Sequence, residues 1–316
     1  MNKKIVDKIF ETIEQYESIY IYGHIRPDGD CYGSGFGLKE ILKGLYPQKN
    51  IYLYLAPCDY LSFMGSMDYI DENKAQGSLA IIIDTSTLSR VYSDYYRLSN
   101  EIIKIDHHQP IDPFGNINLE VQEYPSCAQI ITEIAIYKKV KISTFGASAL
   151  YIGIATDTGW FRYRGVGEKT FNCAKYLCKY GADPGVISEI LSETTLDELK
   201  FKSYVINNLK QAGKFLYCVL TKEVITEAGL NDEQASNYVS LFANIKGYPI
   251  WALILENSSG AIRIRLRSTN IDIIPLGKKY GGGGHDSAVG AKLTSWGQLE
   301  SFVKDAKEYS LQHSNK

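Results

Sequence analysis

The stretch "SIYIYGHIRPDGDCYGSGFGLKEIL", residues 18–42, passes from a β-rich run into a helical pattern through a loop carrying His24, Asp28 and Asp30. A capped turn needs one carboxylate. Two carboxylates and an imidazole on one loop repel and desolvate one another unless a cation sits among them. Pro27 and Gly29 shape the loop, and the glycines beyond it let the following helix pack closely on the sheet beside the site. Strand, acidic loop and helix in that order open an α/β unit, in which the carboxyl ends of the strands form the ligand crevice.

The same alternation continues along the chain. "NIYLYLA", "SLAIIIDTS", "EIIKIDHH" and "INLEVQE" read as strands. "LSRVYSDYYRLSN" and the Ser-capped "SCAQIITEIAIYKKV" read as helices between or after them. Continuous β-branched runs separated by helices predict an α/β fold, a doubly wound and mainly parallel sheet with helices on both faces. From 143 to about 210 the pattern is helical. The last hundred residues mix a strand "KFLYCVLT", a helix "NDEQASNYVSLFANIKG" and a hairpin "PIWALILENSSGAIRIRLRS" turning at Asn-Ser-Ser-Gly. A glycine loop "YGGGGH", a strand "DSAVGAKLT" and a closing helix follow. The expected division is a catalytic metal-binding domain over 1–190, a helical linker over 191–212 and a smaller α/β substrate-binding domain over 213–316, with the active site in the cleft between the domains.

The chain has 316 residues, more than one typical core needs. A net charge of −2 provides no basic field to recruit duplex nucleic acid, so any polyanion must be short and held by a local patch. The six cysteines, at 31, 58, 127, 173, 178 and 218, form no C-x-x-C pair and read as reduced core thiols. The N-terminus reads as an amphipathic helix rather than a signal peptide, and no apolar run approaches the ~20 residues of a membrane span. A soluble, cytoplasmic protein is expected.

Four clusters stand where buried elements end: His24, Asp28 and Asp30; Asp84 after "AIII"; Asp106, His107 and His108 in "IDHH"; and Asp157 in "GIATDTGWFRY". Taken singly, each admits a plainer reading as a helix cap or a hydrogen-bonded turn. Taken together, five carboxylates and three histidines face one predicted crevice. The oxygen-rich set with imidazole and no thiolate favours Mn²⁺, with Mg²⁺, Fe²⁺ or Co²⁺ as substitutes, over a structural zinc. More than four ligands suit two ions roughly 3.5–4 Å apart sharing one Asp, a centre that activates water and stabilises charge on a phosphoryl group. In the C-terminal part, Arg263, Arg265 and Arg267 share one face of a strand. Gly283 and Gly284, beside His285, allow backbone N–H groups to approach an anion. A solvated basic face and a flexible loop are the plainer readings of those two features.

The motifs "GHIRPDGD", "IIIDTS", "IDHH", "TDTGWF" and "GGGGH", in this order and across nearly the whole chain, resemble those of the DHH phosphoesterase superfamily. The compact length is similar to its stand-alone oligoribonucleases, which also dephosphorylate 3′-phosphoadenosine 5′-phosphate. The resemblance implies that His24, Asp28 and Asp84 hold one Mn²⁺, and that Asp30, Asp84, His107 and Asp157 hold a second, with Asp84 as the bridge. Asp106 would orient a histidine, and His108 would face the substrate phosphate as donor or general acid. Arg267 and His285, with Gly283 and Gly284, resemble substrate-phosphate contacts, and Arg90 in "DTSTLSR" is a further candidate. The implied substrates are short single-stranded RNA and nucleotides, and a homodimer is one arrangement the resemblance admits. Rival readings are a phosphodiesterase for linear di-adenylate, an inorganic pyrophosphatase or short-chain polyphosphatase, and a non-catalytic nucleotide sensor.

Overall fold

The computed structural model describes residues 1–163 and 165–313, apart from the side chains of Glu72 and His285. The chain divides into two compact units, Met1–Ser192 and Glu193–Lys316.

The first unit is built on five parallel strands: β1 (Ser18–Tyr22), β2 (Asn50–Tyr54), β3 (Leu79–Ile83), β4 (Glu101–Asp106) and β5 (Ile117–Glu120), in the order β2-β1-β3-β4-β5. Every residue of β3, Leu-Ala-Ile-Ile-Ile, is buried, as a strand covered on both faces requires. The two covers differ. Five long helices, α1 (Lys3–Gln15), α2 (Gly29–Leu45), α4 (Cys127–Tyr137), α5 (Thr144–Asp157) and α6 (Glu168–Lys179), share one core with Ile19, Ile21, Ile81, Ile83, Ile103 and Ile105. The other face packs Tyr20, Tyr22, Ala80 and Ile82 under short pieces, namely α3 (Glu72–Ala75) and 3₁₀ turns. The unit ends with α7 (Pro184–Ser192).

The segment "LSRVYSDYYRLSN", expected to be helical, instead forms two 3₁₀ turns, Leu88–Arg90 and Asp94–Leu98. Its backbone is committed elsewhere: Arg90 O accepts from Ile25 N at 2.7 Å, Tyr92 N donates to Gly23 O at 3.0 Å, and Val91 bridges His24. A helix would have needed those same groups.

The glycines of α2 act chiefly on a neighbouring helix. A Cβ on Gly33 would lie 2.4 Å from Ala149 O and 2.7 Å from Gly153 N in α5, whereas Gly35 faces Leu53 and Leu55 on the sheet side. Gly33→Ala is therefore expected to destabilise the protein by roughly 1–3 kcal/mol, because backbone atoms cannot swing aside as a side chain can. Denaturant unfolding of the variant beside Gly44→Ala, whose Cβ meets nothing within 4 Å, checks this.

The second unit begins with α8 (Leu196–Asn207), capped by a reciprocal Thr195–Glu198 box. Its sheet joins β6 (Lys210–Ala212), β7 (Phe215–Leu220), β8 (Ile250–Glu256), β9 (Ile262–Ser268), β10 (Gly283–His285) and β11 (Ala288–Leu293) in the order β10-β11-β9-β8-β7-β6. Only the β7–β8 pair is parallel. Phe201 and Val205 of α8 pack on one face with residues from α9 (Lys222–Glu227) and α10 (Asp232–Asn237). The expected helix over 231–247 stops at Asn237 and tightens into a 3₁₀ turn, Tyr238–Phe242. The opposite face carries α11 (Ile274–Lys279) and α12 (Leu299–His313). The hairpin turns where expected, with Gly260 N donating to Asn257 O.

Candidate metal centre and catalytic site

The carboxyl ends of β1, β3 and β4, with the start of α2 and the end of α5, bring the predicted residues of the first unit together. Asp84 lies at the middle. It is buried and takes a left-handed backbone conformation (φ 49°), uncommon outside glycine. Its Oδ1 is 3.3 Å from His107 Nε2 and its Oδ2 is 3.4 Å from His24 Nε2. Burial alone would raise its pKa, but those two imidazoles hold it well below the usual carboxylate range.

Both imidazoles are oriented from behind. His24 Nδ1 lies 2.8 Å from Ile25 O, and His107 Nδ1 lies 3.3 Å from Tyr124 O. A carbonyl accepts only, so Nδ1 carries the proton and Nε2 turns to the carboxylates. His107 Nε2 also meets Asp157 Oδ2 at 3.4 Å and Asp30 Oδ2 at 3.8 Å. Asp28 stands at the rim. Its Oδ1 caps α2 by accepting from Asp30 N and Cys31 N, and lies 3.9 Å from His24 Nε2. The oxygen that caps α2 is therefore also the one turned toward His24.

Asp30 is held across the fold. Its two oxygens accept from Cys127 N (2.6 Å) and Ala128 N (2.8 Å), the first amides of α4. A helix N-terminus favours such a carboxylate. Even so, burial and then the charges of Asp84 and Asp157 keep its pKa well above the ordinary value. Asp157 is pushed up to about 7, by burial first and by Asp84 among its neighbours, with His107 opposing.

His108 stands at the edge of the cluster, its Nδ1 3.7 Å from Asp84 Oδ1. Its Nδ1 is 2.7 Å from Asp106 Oδ1, and its side chain is 41% exposed while that of Asp106 is fully buried. Asp106 thus orients His108, leaving the far nitrogen of the ring to the open side.

Ligand atoms of Asp30, His107 and Asp157 lie within 4.8 Å of one another, as do those of Asp84, His107 and His108, and those of His24, Cys31 and Asp84. Asp84 Oδ1 is buried without a hydrogen-bond partner among the described residues. An orphaned carboxylate oxygen amid imidazole nitrogens is the donor set a divalent cation satisfies once it displaces their protons. The residues fit a metal. Cys31 is the member that the sequence reading assigned to the core. It is fully buried, yet it follows Asp30 directly and faces His24.

In the second unit, Arg263, Arg265 and Arg267 alternate along β9 with the buried Ile262, Ile264 and Leu266. The glycine run is partly strand. Gly283, Gly284 and His285 pair with β11, and Arg267, Ala288 and His285 form one row across three strands. The His285 side chain lies outside the described residues. Arg267 is half-buried, its guanidinium pKa lowered by burial and by Arg265, and its Nη1 donates to Leu266 O. Arg90 contributes its carbonyl to the His24 loop, and its own side chain is exposed. No helix among the described residues is long and apolar enough to cross a membrane.

A family model described as "DHH family, N-terminal domain" matches residues 18–154, and one described as "DHHA1 domain" matches residues 212–310. The bifunctional oligoribonuclease and PAP phosphatase NrnA of Mycoplasma genitalium is 33% identical over 311 residues, covering 96% of this chain and 98% of that protein. The chain belongs to the DHH family. A second DHH relative, the Bacillus subtilis protein of the same name, is also 33% identical, covering 97% of this chain and 99% of its own length. The crystal structure of an exopolyphosphatase-related protein from Bacteroides fragilis superposes with a TM-score of 0.90 at 24% identity, covering 100% of this chain and 98% of that one. That likeness establishes the fold. The triplet that names the family is Asp106-His107-His108 here, and its three residues are placed differently: Asp106 holds His108, His107 faces the carboxylates, and His108 is the most exposed.

Proposed function

We propose that this DHH phosphoesterase uses two divalent cations, Mn²⁺ in the first instance with Mg²⁺ or Co²⁺ as substitutes, to hydrolyse short single-stranded oligoribonucleotides to mononucleotides. On the same reading it removes the 3′-phosphate of 3′-phosphoadenosine 5′-phosphate to give AMP. The observation that carries the reading is Asp84, a single buried carboxylate with one oxygen toward His24 and the other toward His107. The near full-length relatives named for both activities support the substrate class.

In this reading His24, Asp28 and Asp84 hold one cation, and Asp30, Asp84, His107 and Asp157 hold the other. Bound cations would activate water and neutralise charge building on the phosphoryl group. Asp106 keeps the His108 ring turned so that its outer nitrogen meets the leaving oxygen and gives it a proton. Arg267, His285 and the backbone of Gly283 and Gly284 bind a substrate phosphate, and Arg90 is a further contact.

The test is a Mn²⁺ titration with a labelled RNA dinucleotide and 3′-phosphoadenosine 5′-phosphate side by side. Turnover of both, absent without cation, is the expected result. Inactivity on both with turnover of pyrophosphate would overturn the nucleotide reading. Strong preference for linear di-adenylate over other dinucleotides would narrow it.

A further inference from the structure

Lys104 lies on β4, two residues before Asp106, and its side chain is fully buried. A buried ammonium needs partners. The Lys104 Nζ has Glu120 Oε1 at 2.7 Å, the carbonyls of Ser86 and Asp112 at 3.1 Å each, and the Phe114 ring at 4.8 Å. It also lies 3.5 Å from Asp106 Oδ2, an oxygen with no hydrogen bond among the described residues. The other oxygen of Asp106 takes His108 Nδ1 at 2.7 Å and His108 N at 3.3 Å. The Asp106 carboxylate is therefore sandwiched between a fixed cation behind it and the exposed imidazole in front.

The two carbonyls matter equally. Ser86 stands two residues after Asp84, and Asp112 stands four residues after His108. One ammonium thus ties the loop leaving β3 to the loop leaving β4, on the side of the sheet opposite the long helices. Stability alone does not explain it, since replacing a buried ion pair by apolar residues of similar volume is often neutral or stabilising.

We infer that Lys104 is a positioning residue for His108: its charge pins Asp106 Oδ2 and the two loop carbonyls, so that Asp106 Oδ1 holds the His108 ring toward the leaving oxygen. The inference rests on the proposed phosphoesterase reading. In that reaction water adds to phosphorus as the ester P–O bond breaks, and the departing alkoxide takes its proton from His108. A p-nitrophenolate leaving group is stable without that proton. A residue acting through His108 should therefore matter for the first kind of ester and hardly for the second.

The experiment compares hydrolysis of an RNA dinucleotide with that of bis(p-nitrophenyl) phosphate for wild type, Lys104→Met, His108→Ala and the double variant. The expected result is that Lys104→Met lowers kcat on the dinucleotide roughly tenfold or more, with little change on the aryl ester. His108→Ala should give the same pattern more strongly, and the double variant should fall no further than His108→Ala. Equal losses on both esters, or additive losses in the double variant, would overturn the inference. Wild-type silence on the dinucleotide would instead count against the phosphoesterase reading of the whole site. Should Lys104→Met fail to fold because Glu120 is stranded, K104M/E120L removes both charges and keeps the volume. The same selective loss is expected of it, and unchanged selectivity in that folded variant would likewise overturn the inference.

Discussion

Asp84→Ala should abolish turnover, with kcat reduced by roughly three orders of magnitude or more. No other carboxylate of the cluster stands between both imidazoles, and its position on the tip of β3 leaves no neighbour able to replace it. Removing it also strands His24 and His107, whose charges it stabilises. Asp84→Asn separates the effects. Asparagine tolerates the left-handed backbone at this position better than alanine, so it should fold more stably. It cannot supply a carboxylate, so its activity should be equally lost. Calorimetric titration with Mn²⁺ should show weakened cation binding in both variants. Retained turnover in Asp84→Asn would mean that the cations are held elsewhere.

Cation loading is expected to release about two protons per chain at pH 8, one from each buried imidazole. Burial would lower both histidines. Against it, hydrogen bonds that the protonated ring donates to Asp84 and Cys31 raise His24 to about 12, and Asp84 as acceptor with the Asp30 charge raises His107 to about 10. Both are therefore protonated at pH 8 in the cation-free protein, and a cation must displace those protons to reach Nε2. Affinity should rise by about two orders of magnitude per pH unit between 7 and 10. Below about 7 the dependence should steepen, because Asp157 then also holds a proton.

Stability of the cation-free protein should run the opposite way. Raised histidine pKa values stabilise fully below about 6.5 and lose that contribution as pH rises through 10 to 12. A raised carboxyl such as Asp157 favours the folded state in acid and stops doing so as pH climbs from about 4 to 7. Chelated protein should thus grow less stable as pH rises, while Mn²⁺-loaded protein should grow more so. Thermal unfolding across pH with and without chelator checks both slopes.

The strands of the first sheet were legible because apolar runs such as "LAIII" are buried on both faces, and continuous burial leaves a continuous pattern. The clustering of these side chains was legible because acidic and imidazole residues at strand ends have few structural reasons to be there. What escaped depends on distant partners. The 88–100 segment has helical spacing, but its backbone is claimed by the His24 loop more than sixty residues earlier. Lys104 alternates in "EIIKIDHH" as a solvent-facing residue would, and only Glu120 and two loop carbonyls explain its burial. Cys31 looked like any small core residue because nothing local says that it faces His24 and Asp84.

The grip of α4 on Asp30 spans 97 residues of sequence, from Asp30 to the amide of Cys127. During synthesis the His24 loop, Asp84 and the His107 strand all leave the ribosome before that helix exists, and Asp157 follows later still. Until then Asp30 lacks the two amide donors of α4 that fix its carboxylate. Assembly of the site is therefore a late event, coupled to long-range closure rather than to the local loop. A nascent chain stalled before residue 127 would present a loose acidic patch, able to attract cations weakly but not to arrange them.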